Sequence, residues 1–317
     1  MEMWSNESED KCSKAVFSLP LKPEEPLPSD CCGSGCTPCV FDIYEEDVRK
    51  WERKCKEITS GAASYSSDSC EIISRSEFKE FELESMKKVA EKCWVYRFMI
   101  PGGKRLGLNV GEHLILRSDM DDPPITRQYT PISPLDACGY FDVLIKIYED
   151  GKMSKYVETW QVGDKVKWKG PFGKFIYTPN RYHHICMLAA GTGIAPMIQV
   201  LQSILDNDDD ETRISLLYTC RTYQEILMKD VLDVSTDHWN FNVMYVISRE
   251  DKPGNETRVR YGDRIHYGRI DKDLLSHEIP APSNKVFVLI CGTKSFDKDM
   301  INFLSQLGYD GSTYFRF

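Results

Sequence analysis

One stretch narrows the folds open to this chain more than any other. His184-Ile185-Cys186-Met187-Leu188-Ala189-Ala190 is a continuous apolar run that passes directly into Gly191-Thr192-Gly193-Ile194-Ala195-Pro196. A strand without polar alternation must be covered on both faces, which is the situation of a central strand in a parallel sheet flanked by helices. The glycines permit a tight turn and close backbone approach to a pyrophosphate, and Pro196 suits the first turn of an amphipathic helix reaching Leu205. The alternation continues: strand Ile214 to Tyr218, helix Glu225 to Val234, strand Phe241 to Ile247, strand Lys285 to Cys291, helix Phe296 to Leu307. Residues 179–317 are therefore expected to form a doubly wound parallel sheet, with ligands at the carboxyl ends of its strands, where Cys291-Gly292 closes the last internal strand.

The pattern upstream differs. Residues 74–178 carry short alternating runs, Val95 to Phe98, His113 to Leu116, Phe141 to Tyr148 and Lys165 to Trp168, separated by Gly, Pro and Asp turns. Such spacing predicts a small antiparallel barrel. Within it lies Arg127-Gln128-Tyr129-Thr130-Pro131-Ile132-Ser133, which Pro131 keeps extended. On a strand, Arg127 and Tyr129 share one face and Thr130 points across it. That alternation suits a flavin nucleotide, with the guanidinium forked onto pyrophosphate oxygens, the phenol ring against the isoalloxazine, and Thr130 reaching the redox-active edge. About twenty residues on, Gly151-Lys152-Met153-Ser154 opens a short predicted helix. Its glycine, the capping capacity of Ser154 and the free N–H groups of a helix start together make a seat for phosphate.

A formal net charge of −9 over 317 residues argues against a nucleic-acid binder, whose phosphate contacts demand excess Lys and Arg. No apolar run approaches the roughly 18 residues of a membrane span, and the acidic, Ser-rich start shows no secretory signal. Nor does glycine follow the initiator Met, as myristoylation needs. The expected setting is intracellular and cytoplasmic, peripheral to membranes only through a partner. The 12 cysteines then read as reduced thiols or metal ligands rather than disulfides.

Four of those cysteines, Cys31, Cys32, Cys36 and Cys39, fall in one Gly-punctuated stretch after a Pro-rich lead. They suit a soft-metal knuckle, and the Cys31, Cys36, Cys39 spacing matches a plant-type iron-sulfur set needing a fourth thiolate such as Cys55. A redox-active or structural thiol cluster and inert cysteines remain open alongside. Val40 to Trp51 reads as a helix, acidic early and basic late. The expected organisation is a disordered tail (1–22), a cysteine-rich module (23–58), a Ser/Gly/Ala linker (59–73), the barrel (74–178) and the parallel-sheet domain (179–317).

Residues 23–58 resemble the small oxidoreductase-like N-terminal module in their Pro-x-x-Pro lead, Asp-Cys-Cys-Gly-x-Gly-Cys-x-Pro-Cys core and Asp-Ile-Tyr-Glu tail. From Ser74 onward the ordered set Arg-x-Tyr-Thr-Pro-x-Ser, Gly-Lys-Met-Ser, Gly-Thr-Gly-Ile-Ala-Pro and Cys-Gly resembles the ferredoxin-reductase-type flavoproteins, in their cytochrome b5 reductase branch. The resemblance implies FAD held by Arg127, Tyr129, Thr130 and Gly151, Lys152, Met153 and Ser154, with Lys146 and Tyr148 on the adjoining strand. It implies a nicotinamide dinucleotide near Gly191, Thr192, Gly193, Pro196, Cys291 and Gly292, and marks Thr130 and Cys291 as the catalytic pair. The branch's Cys-Gly-Pro-Pro-x-Met becomes Cys291-Gly292-Thr293-Lys294-Ser295-Phe296 here.

The implied reaction takes hydride from NADH to the flavin and releases electrons singly to a cytochrome b5-type haem protein or another one-electron acceptor. Two other readings stay open: a flavin reductase of a different acceptor, and a degenerate flavoprotein whose cysteines bind a metal or partner. Seven lysines between Lys146 and Lys174 suggest a docking face for an acidic acceptor. The strand ending in Ser248-Arg249 lacks the Asp usual in the branch, so NADH is expected with NADPH admitted.

Overall fold

A computed structural model describes residues 72–249 and 259–317, together with residues 22, 23, 25, 26, 40, 41, 44, 45, 47, 48, 51 and 52. The four clustered cysteines, Cys31, Cys32, Cys36 and Cys39, residues 1–21 and residues 59–71 lie outside the described residues, as do residues 250–258.

The first sheet is built from β1 (Lys79–Ala90), β2 (Cys93–Met99), β3 (His113–Ser118), β4 (Ile125–Tyr129), β5 (Tyr140–Lys146) and β6 (Lys165–Phe172), ordered β4-β3-β6-β1-β2-β5 and antiparallel throughout. Its edges meet where Ile132 N–H donates to the Asp142 carbonyl at 2.8 Å, beside a Pro131–Val143 bridge, so the sheet closes into the expected barrel. Period-two alternation fixes what lies inside: Val166, Trp168, Gly170 and Phe172 of β6 are buried while the residues that alternate with them are not. Phe98 stacks on Phe141 at 5.1 Å and meets Trp168 edge-on at 5.3 Å, giving the barrel an aromatic centre. Ile73 is buried in this core, so the barrel's packing begins upstream of residue 74.

The second sheet comprises β7 (His184–Ala190), β8 (Arg213–Cys220), β9 (Phe241–Ile247), β10 (Arg264–Tyr267), β11 (Val286–Cys291) and β12 (Tyr314–Arg316), all parallel, ordered β10-β9-β8-β7-β11-β12. The central β7 is buried along nearly its whole length, as its unbroken apolar run requires. The helices are α1 (Lys152–Val157) in the barrel, then α2 (Ile194–Leu205), α3 (Lys229–Ser235), α4 (Lys272–Glu278) and α5 (Lys294–Gln306) around the parallel sheet. None among the described residues is long and apolar enough to cross a membrane.

Two local expectations need correction. The helix expected over Glu225 to Val234 begins only at Lys229, because Ile226 is extended and Met228 takes a left-handed φ of 56°. Burial of Ile226 and Leu227 against the sheet outweighs their helix propensity. The strand expected through Tyr148 ends at Lys146, and Tyr148 belongs to the turn before α1.

The described residues of the 40–52 segment are helical. They do not stand apart from the barrel: Pro23, Pro26, Val40 and Tyr44 share a small cavity with Phe78, Ile115 and Thr126.

Candidate active site

A cleft of about 720 Å³ runs between the two sheets, and every site residue expected within the barrel and the parallel-sheet domain lines it. Arg127 and Tyr129 reach it from β4, while the preceding Thr126 is turned to the cavity shared with the 23–47 segment. One Arg127 nitrogen donates to the Thr126 carbonyl at 2.6 Å, and no ion pair among the described residues neutralises the guanidinium. The Tyr129 ring meets Trp168 edge-on at 6.0 Å, and burial holds its phenol well above the ordinary range, hence neutral. Thr130 also lines the cleft, and its hydroxyl makes no hydrogen bond among the described residues.

Gly151 to Ser154 forms the next part of this wall. Ser154 does not cap α1, whose N-cap is Gly151; its hydroxyl instead accepts the Tyr148 N–H at 2.9 Å and pins the turn. Met153 and Ser154 are buried, and Lys152 is paired to Asp121 at 3.1 Å. Lys146 crosses the cleft to Glu225 of the other domain at 3.4 Å.

On the opposite wall, β7 ends in a single 3-10 turn, Gly191–Gly193, before α2 and its Pro196. Gly191 has φ +53° and open space where a side chain would project, so a ligand can approach its backbone. Gly193 is required for the opposite reason: a Cβ there would stand 2.1 Å from the Cys291 carbonyl oxygen. Thr192, Gly292 and Cys291 complete this floor. Burial, with Asp297 nearby, pushes the Cys291 thiol up to about 12, so it is uncharged at neutral pH. The Ser248 hydroxyl donates to the Cys220 carbonyl at 3.1 Å, and Arg249 stands exposed beside it.

Sequence reasoning passed over three residues that set this geometry. Tyr218, fully buried, donates its hydroxyl to the Gly191 carbonyl at 2.9 Å and so secures the turn. Gln199, 1% exposed, accepts the Gly111 N–H and donates to the Pro131 carbonyl, both at 2.9 Å, joining α2 to the barrel. Glu225 holds Lys146. The available signal was a polar group in an apolar setting, such as one glutamine among the buried aliphatics of α2.

The donor set fits the two cofactors expected. The cleft has the size of a cofactor site. It offers an unpaired guanidinium and a free hydroxyl on the barrel side, with an open glycine turn opposite. Among the described residues no group of three or more His, Cys, Asp or Glu is arranged to hold a metal ion.

Fold and cleft together define a two-domain, FAD- and NAD-binding oxidoreductase of the ferredoxin-reductase type. Residues 80–177 match the oxidoreductase FAD-binding domain and residues 187–302 the oxidoreductase NAD-binding domain. Residues 15–60 match the oxidoreductase-like protein N-terminal family. The chain is 44% identical over 304 residues to NADH-cytochrome b5 reductase-like of Mus musculus, covering 94% of this chain and 96% of that one. It is 41% identical over 319 residues to the Homo sapiens protein of the same name, covering 99% and 100%. Among solved structures, the cytochrome b5 reductase domain of Ulva prolifera nitrate reductase superposes with a TM-score of 0.69 at 27% identity, covering 78% of this chain and 99% of that chain. The chain belongs to the NADH-cytochrome b5 reductase-like family.

Proposed function

We propose that this protein is an NADH-dependent, FAD-containing reductase that passes single electrons to a haem protein of the cytochrome b5 type. The observation that carries this reading is one cleft lined on one side by Arg127, Tyr129 and Thr130 and on the other by the Gly191–Gly193 turn. When bound, FAD supplies the conversion between a two-electron hydride donor and one-electron acceptors.

The chain's own part is binding and alignment. Arg127 offers its free nitrogens to a diphosphate, and Tyr129, steadied by Trp168, offers an aromatic face. The Thr130 hydroxyl, uncommitted among the described residues, is available to a ring edge beside them. The Gly191–Gly193 turn brings bare backbone to the dinucleotide, and Tyr218 keeps that turn in place. Cys291, as an uncharged thiol, packs against a bound ring without acting as a base. The Lys146–Glu225 pair and Gln199 hold the two walls at a fixed separation, which is what ring-to-ring transfer demands.

The lysine-rich span narrows as a docking face, because Lys146, Lys152 and Lys167 are paired with Glu225, Asp121 and Asp119. Lys155, Lys165 and Lys174 are exposed and are the residues proposed to meet an acidic acceptor.

The test begins with the absorption spectrum of the purified protein, where flavin bands are expected. Anaerobic NADH should bleach them, and added oxidised cytochrome b5 should then be reduced, followed at the haem. A colourless protein overturns the reading. Bleaching without haem reduction points instead to a reductase of another acceptor.

A further inference from the structure

The strands β8, β9 and β10 lie side by side, and just beyond each carboxyl end stands an arginine: Arg221, Arg249 and Arg269. Backbone pairing continues past the strand ends, and extending its register sets Arg269 beside Arg249 and Arg221 beside Ser248. Ser248 and Arg249 donate N–H groups to the carbonyls of Cys220 and Arg221 at 3.0 and 2.9 Å, and Gly268 N–H donates to the Ile247 carbonyl at 2.8 Å. With neighbouring strands spaced about 4.8 Å apart, three guanidinium stems arise within about 10 Å of one another. All three side chains are exposed and line the cleft, with Ser248 among them.

None of the three makes an ion pair among the described residues, whereas Arg97 is held by Asp142 and Arg264 by Glu278. Three acidic residues line the same cleft, Glu225, which holds Lys146, Glu91 in the β1–β2 turn and Asp299 on α5, and none is ion-paired to the three arginines among the described residues. Three like charges kept together and unpaired raise the local potential and repel one another, a cost that a bound dianion offsets. A planar guanidinium is also the group best suited to fork onto a phosphate.

We infer that Arg221, Arg249 and Arg269, with Ser248, form a subsite for a phosphomonoester on the adenosine ribose of the dinucleotide, so that NADPH is bound and oxidised as well as NADH. This rests on the reading of the cleft as a pyridine-dinucleotide site. It goes beyond the missing carboxylate at Ser248, because two of the three cations come from strands on either side of β9. In this subsite the 2′-phosphate replaces solvent and counterions between the guanidiniums, while NADH leaves it empty.

The test compares adenosine 2′,5′-bisphosphate with 5′-AMP by titration calorimetry on the FAD-containing protein as purified. The bisphosphate is expected to bind at least about tenfold more tightly, with an advantage that shrinks as salt is raised. Arg221→Ala and Arg269→Ala should each lower the ratio of NADPH to NADH kcat/KM by about tenfold. Arg269→Lys should fall between, since a point charge keeps the field and loses the fork. Equal affinity for the two nucleotides, or a ratio unmoved by both alanine variants, overturns the subsite while NADH oxidation proceeds. If neither nucleotide binds and neither dinucleotide reduces the flavin, the cleft assignment itself fails and the subsite with it.

Discussion

Gln199 Nε2 donates to the Pro131 carbonyl oxygen at 2.9 Å, so a side chain of the nicotinamide-side helix holds the residue that follows the flavin-side Arg127–Thr130 segment. The same amide accepts the Gly111 N–H, which makes Gln199 a two-way tie between domains buried from water. Replacing it with Leu leaves a buried N–H and a buried carbonyl without partners, at a cost of about 1–3 kcal/mol. Gln199→Leu is expected to lower the thermal midpoint and to slow flavin reduction by NADH about tenfold, through lost alignment rather than lost chemistry. Stopped-flow reduction of the bound flavin measures this. A variant less stable but equally fast would show that Gln199 only braces the fold.

Arg127→Ala and Tyr129→Ala should each purify with less FAD than the wild type, the first losing a charge-assisted fork and the second an aromatic face. Arg127→Lys should also be impaired, because an ammonium cannot reproduce the planar fork. Flavin content by absorbance ratio checks all three, and full occupancy in both alanine variants would falsify the placement of the flavin on β4.

How much of this could be read from residue order follows from where each signal lies. The β7 run into Gly191-Thr192-Gly193 announced a strand buried on both faces, and β9 was legible end to end from an apolar run interrupted only at the exposed Asn242. Arg127, Tyr129 and Gly151 to Ser154 were legible as local patterns, and their meeting with Gly191 and Cys291 in one cleft followed from the ordered set. What local patterns could not supply was contact between residues far apart in the chain. Gln199 and Tyr218 act on backbone carbonyls 68 and 27 residues away, which no spacing rule reaches. β10 and β12 are four and three residues long and earn their strand geometry only by pairing with β9 and β11. The break at Ile226 to Met228 was invisible because its cause, burial against the sheet, is tertiary.

Asp297, in the first turn of α5, is buried and accepts from the Gly292 backbone, while its Oδ1 has no hydrogen-bond partner among the described residues. Burial raises its carboxyl to about 6, with Arg316 opposing the shift. A carboxyl raised on folding contributes stability that is present in full below its unfolded value and is lost as pH rises through about 6. Asp297→Asn removes that loss, so the variant should gain on the wild type between pH 4 and pH 8, by an amount on the order of 2 kcal/mol. Urea denaturation of both proteins across this range checks it; a pH-independent difference would show that the carboxyl titrates normally.

Residue order alone suggests that the cysteine module folds apart from the catalytic core. The cavity shared by Tyr44 and Pro26 with Phe78, Ile115 and Thr126 argues for a docked module. Deleting residues 1–60 uncovers Phe78 and Ile115 on the barrel wall, and the thermal midpoint should fall by several degrees, equivalent to about 1–2 kcal/mol. Dye reduction by NADH should persist, because the cleft lining outlined here comes from residue 90 onward. An unchanged midpoint would return the module to the status of a tethered appendage.

The edge-on contact between Trp168 and Tyr129 also gives the protein an intrinsic optical gauge. Trp168 has no exposure to solvent, so its indole emits from an apolar surrounding at the blue end of its range. A flavin resting on Tyr129 would lie one ring away and accept that excitation. The Trp168 share of the emission is then quenched in the loaded protein and returns as flavin departs, as a blue component distinct from the emission of exposed tryptophans such as Trp239.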